Sequence, residues 1–307
     1  MKKKIVIFGL GSIGSRHADI LQNNYDHELI AFRSSPGAGR NSMGIKEIYS
    51  WQQLRRYEPD IALIANPTAL HLKTALKCAK EGINLFIEKP LSHDLKGLAE
   101  LKKTCRDGKL TVYVAYCLRF HPVIKKMREL LRDKQVLHVR AVAASYLPDW
   151  RGREAYSSFK AQGGGVLLDL SHELDYVSYL FGRIKLIKGA FGRVAKVTRD
   201  SEDYADIAVT TDRGIPAGIS LDYISRKNER TVKVDFVDGY LTGDLIANQL
   251  EYVYAERKSS FKYASGRNDY LREQWDYYFG RLGQGAIMND LNEAEGLLRK
   301  VLGLKNG

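Results

Sequence analysis

Only three cysteines occur in the 307 residues: Cys78, Cys105 and Cys117. An odd, scattered set without ligand spacing provides neither a disulfide framework nor a cysteine-based metal site, and it fits a reducing cytoplasm. Long apolar runs are missing as well. The longest are strand-sized, which excludes a membrane-spanning helix. The basic start, "MKKKIVIFG", lacks the apolar core and small-residue cleavage site of a secretory signal and reads as a strand. Also missing is a concentrated basic arm. Lys and Arg number 48 against 36 Asp and Glu, a net charge of +12, but beyond Lys2 to Lys4 the cations stand singly and no aromatic platform motif accompanies them. Nucleic-acid binding is therefore not expected. A dispersed excess suits small anionic ligands, such as a phosphorylated cofactor or a sugar nucleotide.

At this length the chain can bury a sizeable core and form two domains. We place the first at 1–119 and the second at 120–307. The excess charge leans toward the first, with 19 Lys and Arg against 11 Asp and Glu, compared with 29 against 25 in the second.

"KKIVIFGLGSIGSRHADILQNN" reads as strand, glycine turn and helix. Ile5 to Phe8 form the continuous apolar run of a strand covered on both faces. Gly9, Gly11 and Gly14 then complete G-x-G-x-x-G. That pattern serves a tight turn, close backbone approach to a pyrophosphate, and helix–strand packing. Ser12 and Ile13 open the helix, whose N-terminal N–H groups and dipole favour phosphate. The second strand, "HELIAFRSS", offers Arg33, Ser34 and Ser35 where an Asp or Glu would hold the ribose of NAD. Arginine with hydroxyls suits a 2′-phosphate and favours NADP. A solvated Arg at a strand end would leave NAD open.

Further apolar strands end at Asn66-Pro67-Thr68, at Glu88-Lys89-Pro90 and at Arg119, with helical segments between them. The alternation predicts an α/β Rossmann fold with a doubly wound parallel sheet, which binds its ligand at the carboxyl ends of the strands. Asn66, Pro67, Thr68, His71 just beyond them, Glu88, Lys89 and Arg119 are thus expected at the cofactor. Thr68 also reads as a helix cap, whereas capping has no use for the lysine of "EKP". From about residue 120 the text becomes strand-rich, with turn signals such as "DRG" and "VDG". It predicts an α+β domain with a largely antiparallel sheet, closed by an amphipathic helix at "EAEGLLRKVLGLK".

In "GGGVLLDLSHELDY", three glycines lead into a predicted helix. Leu167, Leu170, Leu174, Val177 and Phe181 line one side at 100° per residue, and Asp169, His172 and Tyr176 fall nearly opposite. Acid, imidazole and phenol on one stripe suit a cleft. An Asp near the helix dipole and a surface histidine would give the same pattern.

With these residues assembled, the chain resembles the glucose–fructose oxidoreductase and inositol dehydrogenase family, Gfo/Idh/MocA. The matching features are "GLGSIGSRH", "NPTALH", "EKPLS", "YCLRF" and the glycine-rich entry to "DLSHELDYVSYLFG", over roughly the first three-fifths of the chain. The resemblance implies a Rossmann domain, a second domain that often mediates oligomerisation, here as a homodimer or homotetramer, and hydride transfer between a sugar or polyol carbon and a nicotinamide. It assigns Lys89 to the reacting hydroxyl or carbonyl, His172 to substrate contact and acid/base work, and Asp169 to the acidic partner of that histidine. Many members have D-x-x-x-H, whereas this chain has D-L-S-H, a spacing of three that keeps both groups on one helical face. On this reading the glycines let backbone approach cofactor or substrate.

Loss of a hydride from carbon requires loss of the hydroxyl proton, and so a positioned base. Imidazole titrates in the useful range unaided. A lysine needs its pKa lowered by burial or by neighbouring charge. His172 or Lys89 is the acid/base, and the other polarises the oxygen. The loop "SYLPDWRGREAYSSF" (145–159) offers Trp150 to stack on a sugar face, and Arg151, Arg153 and Tyr156 to hold an anion. Tyr176 completes the expected substrate contacts. An ordinary surface loop with a packed Trp is an equal reading. This segment looks like members associated with surface-polysaccharide pathways, which points to a sugar, amino sugar or nucleotide sugar. The alternative is a catalytically silent NADP(H)-binding regulator, against which the presence of Lys89, Asp169 and His172 argues.

Overall fold

The computed structural model describes residues 2–37, 41, 43–152 and 154–306. The chain folds as two compact units, one of residues 1–115 with 271–296, the other of residues 116–270 with 297–307.

The first unit is a six-stranded parallel sheet with the order β3-β2-β1-β4-β5-β6. Its elements are β1 (Lys4–Phe8), α1 (Ser12–Asn24), β2 (Glu28–Phe32), β3 (Lys46–Ile48), α2 (Trp51–Tyr57), β4 (Ile61–Ile64), α3 (His71–Lys80), β5 (Asn84–Glu88), α4 (Leu98–Asp107) and β6 (Val112–Ala115). The doubly wound order puts the reversal between β1 and β4, where such sheets open a ligand crevice. Ile5 to Ile7, Ile61 to Ile64 and Leu85 to Ile87 are fully buried, as strands covered on both faces must be. Helix α2 starts at a capping box in which Ser50 and Gln53 satisfy each other's backbone N–H groups.

The second unit begins with α5 (Pro122–Leu130), β7 (Val136–Tyr146) and the one-turn helices α6 (Leu147–Trp150) and α7 (Val166–Asp169), followed by α8 (His172–Phe181). Seven more strands follow: β8 (Ile184–Gly192), β9 (Tyr204–Thr211), β10 (Pro216–Asp222), β11 (Ile224–Phe236), β12 (Gly239–Asp244), β13 (Gln249–Tyr254) and β14 (Arg257–Lys262). They form one sheet with β7, in the order β14-β13-β12-β11-β7-β10-β9-β8, antiparallel except between β7 and β10. Both predicted sheet types are therefore present. Ala205, Ile207 and Val209 of β9 and Ala217, Ile219 and Leu221 of β10 are buried, and their neighbours are not. One face of the sheet is thus covered, by α7 and α8 among others. Helices α9 (Arg267–Arg281) and α10 (Leu291–Asn306) end the chain. No described helix is long and apolar enough to cross a membrane.

The single helix expected across Asp169 and His172 is instead two. Residue Leu170 (φ −96°, ψ 29°) ends α7, and α8 starts after Ser171. The apolar side keeps its expected burial at Leu167, Leu174, Val177 and Phe181.

Candidate functional site

In the first unit the glycine turn is built by close backbone contact. Gly9 has φ +95°, and a Cβ there would stand 2.6 Å from the Ala65 carbonyl oxygen; a Cβ on Gly14 would collide with the Gly9 carbonyl. Around Gly11 no described residue lies within 4 Å of the added atom. Gly9 and Gly14 therefore serve packing, and Gly11 leaves the approach to the start of α1 open. Ser12 and Ile13 form the first turn of that helix, which carries no side-chain cap. Its N–H groups remain available to an anion.

Beside the turn is a cavity of about 640 Å³ lined by Phe8, Gly9, Leu10, Gly11, Phe32, Arg33, Ser34, Trp51, Asn66, Pro67, Leu70, Lys73, Thr74 and Lys77. That volume is typical of small-molecule sites. Phe8 stacks on Phe32 and Trp51 with centroids 4.9 and 5.7 Å apart, and Lys77 stands over the Trp51 ring. Among the described residues the lining holds three cations and no carboxylate. Arg33 is nearly buried, with its Nε 3.6 Å from Glu47. Lys73, Lys77 and Trp51 were not read from the sequence, although Lys73 and Lys77 are four apart on one face of α3.

The strand ends carry the other expected residues. Asn66 donates from Nδ2 to Thr74 Oγ1 (2.9 Å), and its buried Oδ1 has no partner among the described residues. Thr68 opens a single 3₁₀ turn before α3. His71 is buried, with Nδ1 2.9 Å from the Pro90 carbonyl and Nε2 2.9 Å from that of Asn66. It thereby ties the ends of β4 and β5 together. Burial lowers its pKa, opposed by the two carbonyls. Glu88 is buried against His17, Oε1 to Nε2 2.7 Å, and His17 Nδ1 accepts from Trp275 Nε1 at 2.9 Å. Lys89 follows, half-buried, and its bond to Pro90 is cis. The sequence reading missed His17 and Trp275. The histidine was visible in "GLGSIGSRH", but nothing local connected Trp275 to it.

In the second unit Asp169 is the centre of a buried network. Arg151 Nη1 (2.9 Å), Tyr156 OH (2.9 Å), Ser157 Oγ (2.7 Å) and Tyr223 OH (2.7 Å) all donate to its carboxylate. Three of the donors converge on Oδ2 and Tyr156 takes Oδ1, so both carboxylate oxygens are engaged within the protein. Burial works against the Arg151 charge, but Asp169 and Tyr156 more than restore it, and the pKa of Arg151 is raised. Burial, then Asp169, pushes Tyr156 and Tyr223 above the ordinary tyrosine value. Arg151 also lies over the Trp150 and Tyr156 rings, 4.6 Å from each, and Trp150 is 42% exposed. Arg153 lies outside the described residues.

Helix α8 is buried on nearly all sides, and its acids are paired. Arg119 is bidentate on Asp175 (2.7 and 3.0 Å) and lies over Tyr179; Arg230 is bidentate on Glu173 (2.8 and 3.2 Å). Arg119 was expected at the cofactor, but its guanidinium fork is occupied by Asp175. Tyr176, expected at substrate, is fully buried, and its hydroxyl has no hydrogen-bond partner among the described residues. Burial, then Glu173, raises its pKa well above normal. His172 opens α8, 7% exposed, with its ring edge-on to Tyr116 (5.6 Å). Two of the three glycines, Gly164 and Gly165, are held by close packing within the protein. A Cβ on Gly164 would strike the Tyr156 and Ser157 carbonyls, and one on Gly165 (φ +101°) would strike the Glu202 carboxylate. Among the described residues no group of His, Cys, Asp and Glu could hold a metal.

Residues 3–116 match the oxidoreductase family with an NAD-binding Rossmann fold, Gfo/Idh/MocA, and residues 124–242 match the Gfo/Idh/MocA C-terminal domain. Inositol 2-dehydrogenase of Rhizobium meliloti is 22% identical over 88% of this chain and 93% of its own. UDP-N-acetylglucosamine 3-dehydrogenase of Acidithiobacillus ferrooxidans is 26% identical over 63% of this chain and 58% of its own. With several other curated relatives, such as 2,7-anhydro-N-acetylneuraminate hydratase of Escherichia coli, the match spans about half of the relative (49%). The solved structure of the Acidithiobacillus enzyme superposes with a TM-score of 0.84 at 19% identity, covering 100% of this chain and 97% of that one. Levoglucosan dehydrogenase, solved with NADH, superposes with a TM-score of 0.86 at 15% identity and the same coverage.

Proposed function

The chain belongs to the Gfo/Idh/MocA oxidoreductase family, and from that premise we propose that it is an NAD(P)-dependent enzyme moving a hydride between a nicotinamide and a hydroxyl-bearing carbon of a sugar, amino sugar or nucleotide sugar. The observation that carries this reading is the cavity at the β1–α1 turn, with open backbone at Gly11, aromatic walls, and cations without a carboxylate. The cofactor, when bound, supplies the hydride acceptor or donor.

The α1 N-terminus and Gly11 hold its pyrophosphate. Phe32 and Trp51, which line the cavity, would receive the adenine end. Arg33, Ser34, Lys73 and Lys77 favour the extra phosphate of NADP. Lys89 would hydrogen-bond the reacting oxygen, and His172 is assigned to acid/base work. Asp169 is an anchor that fastens Arg151, Tyr156 and Ser157 to α7, and Arg119 holds α8 through Asp175. Trp150, exposed at the end of α6, is offered to a sugar face.

The relative named UDP-N-acetylglucosamine 3-dehydrogenase supports a nucleotide sugar as substrate. The uncovered face of the eight-stranded sheet, with small residues such as Ala208 and Gly218, supports a homodimer or homotetramer. The scarce, buried cysteines support a cytoplasmic setting.

The test is isotope transfer. NADPH and NADH, deuterated on the transferable face, are incubated with the protein and a bacterial small-molecule extract, and metabolites gaining deuterium are sought by mass spectrometry. A labelled sugar or nucleotide sugar is expected, and Lys89→Met is expected to cut its formation by at least about 100-fold while both cofactors still bind. Labelling of unrelated metabolites, or undiminished labelling by Lys89→Met, would overturn the assignment.

A further inference from the structure

Behind Glu88 lies a chain of hydrogen bonds whose direction is fixed by chemistry. Trp275 of α9 is fully buried and stacks on Phe86 of β5, centroids 3.9 Å apart and planes 12° from parallel. Its indole nitrogen lies 2.9 Å from His17 Nδ1. An indole N–H only donates, so Nδ1 presents its lone pair. The ring proton of His17 is then on Nε2, 2.7 Å from Glu88 Oε1. The opposite tautomer would set two N–H groups against each other and point a lone pair at a carboxylate. His17 and Trp275 are 0% exposed, so no bulk water substitutes for either bond.

Resting on the reading of Lys89 as a reacting-centre residue, we propose that Trp275 and His17 are positioning residues for it. The relay from Trp275 through His17 locks the Glu88 carboxylate, and with it the Glu88–Lys89 backbone, in one arrangement. Helix α9 thereby acts twice on the same strand. It packs on Phe86, and through His17 it orients the carboxylate two residues further along. The geometry of Lys89 thus depends on a tryptophan 186 positions away in the chain. Small displacements at a reacting group can cost on the order of 100-fold in rate, which gives such a buffer of orientation its value.

The experiment needs no substrate. Nitrogen-15 spectra of histidine-labelled protein should show His17 with the proton on Nε2 and the lone pair on Nδ1; a proton on Nδ1 overturns the relay. In lysine-labelled protein the Lys89 side-chain signal is assigned by its loss in Lys89→Met. It should shift in His17→Leu and in Trp275→Phe, which keeps the ring stack, and return toward the native position in His17→Gln, whose amide restores a donor to Glu88. An unmoved Lys89 signal in His17→Leu and Trp275→Phe, or His17→Gln matching His17→Leu, overturns the inference. A merely structural loss would not be reversed by the amide. Normal isotope transfer by Lys89→Met would instead remove the reading on which the inference rests, leaving the tautomer result intact.

Discussion

Four donors on Asp169 and one carboxylate on Arg119 show how much a single side chain's role depends on what it meets. From the sequence, Asp169, Arg151 and Tyr156 were separate candidates for catalysis and substrate binding; they form one network with Ser157 and Tyr223. Their types were informative, but the convergence of these donors on one carboxylate was not readable from spacing. Gly165 is a comparable case. Its φ of +101° with ψ 153° is a region essentially reserved for glycine, and Glu202, held by Lys305 at 2.8 Å, fills the space beside it. Gly165→Ala is therefore expected to destabilise the protein by about 2 kcal/mol or more, read as a lower urea midpoint. At an unstrained site the same change would stabilise. Arg33→Ala is expected to weaken NADPH binding by about 10- to 100-fold, since it removes a charge-assisted contact to phosphate, and to leave NADH binding nearly unchanged. Fluorescence titration with both cofactors checks it. Equal losses for the two would count against the NADP preference.

Elements with a clean pattern were legible. The apolar run Ile5–Phe8 and the alternating text of β9 and β10 became strands of the expected kinds. Helix α9 was harder to see, because its buried positions Leu271, Gln274, Trp275 and Tyr278 follow helical spacing but mix an amide and aromatics with a polar surround. The start of α5 carries a pH prediction. His121 caps it, accepting from the Val123 N–H at Nδ1, and its Nε2 faces the Leu245 carbonyl at 3.1 Å. Burial lowers its pKa to about 4, helped by Arg230 and opposed by the Leu245 carbonyl and Asn248. The unfolded imidazole takes up a proton below about 6.5, whereas the folded one stays neutral until about 4. In that window the unfolded state binds more protons, so stability falls as pH falls. The loss from this group is up to about 3 kcal/mol, and His71 pulls in the same direction. His121→Asn keeps a capping group without the titration. Its denaturation midpoint should vary less than the native one between pH 6.5 and 4.

At the scale of the molecule, a late segment of the chain returns to its beginning. Residues 271–296 belong to the unit built on 1–115, and Trp275 and Tyr278 are fully buried there beside Phe86. A fragment of residues 1–115 alone would expose that aromatic face and lose the Trp275 hydrogen bond. It is expected to lack a cooperative fold, checked by near-ultraviolet circular dichroism and by the dispersion of its amide spectrum. A well-dispersed spectrum would show that the C-terminal segment is dispensable to the sheet.

By itself, the sequence determined the class of each half. Hydrophobic runs and glycine spacing act locally, through backbone geometry and burial of adjacent residues, and the β1–α1 turn with its phosphate-binding potential follows from them. Tertiary structure alone decided the partnerships: Arg119 with Asp175, Asp169 with Tyr223, and Trp275 with His17 and Glu88. Each joins residues 54 to 258 positions apart. A buried charge or polar group takes whichever complementary group the packed chain brings within about 3 Å, and no local pattern records which one that is.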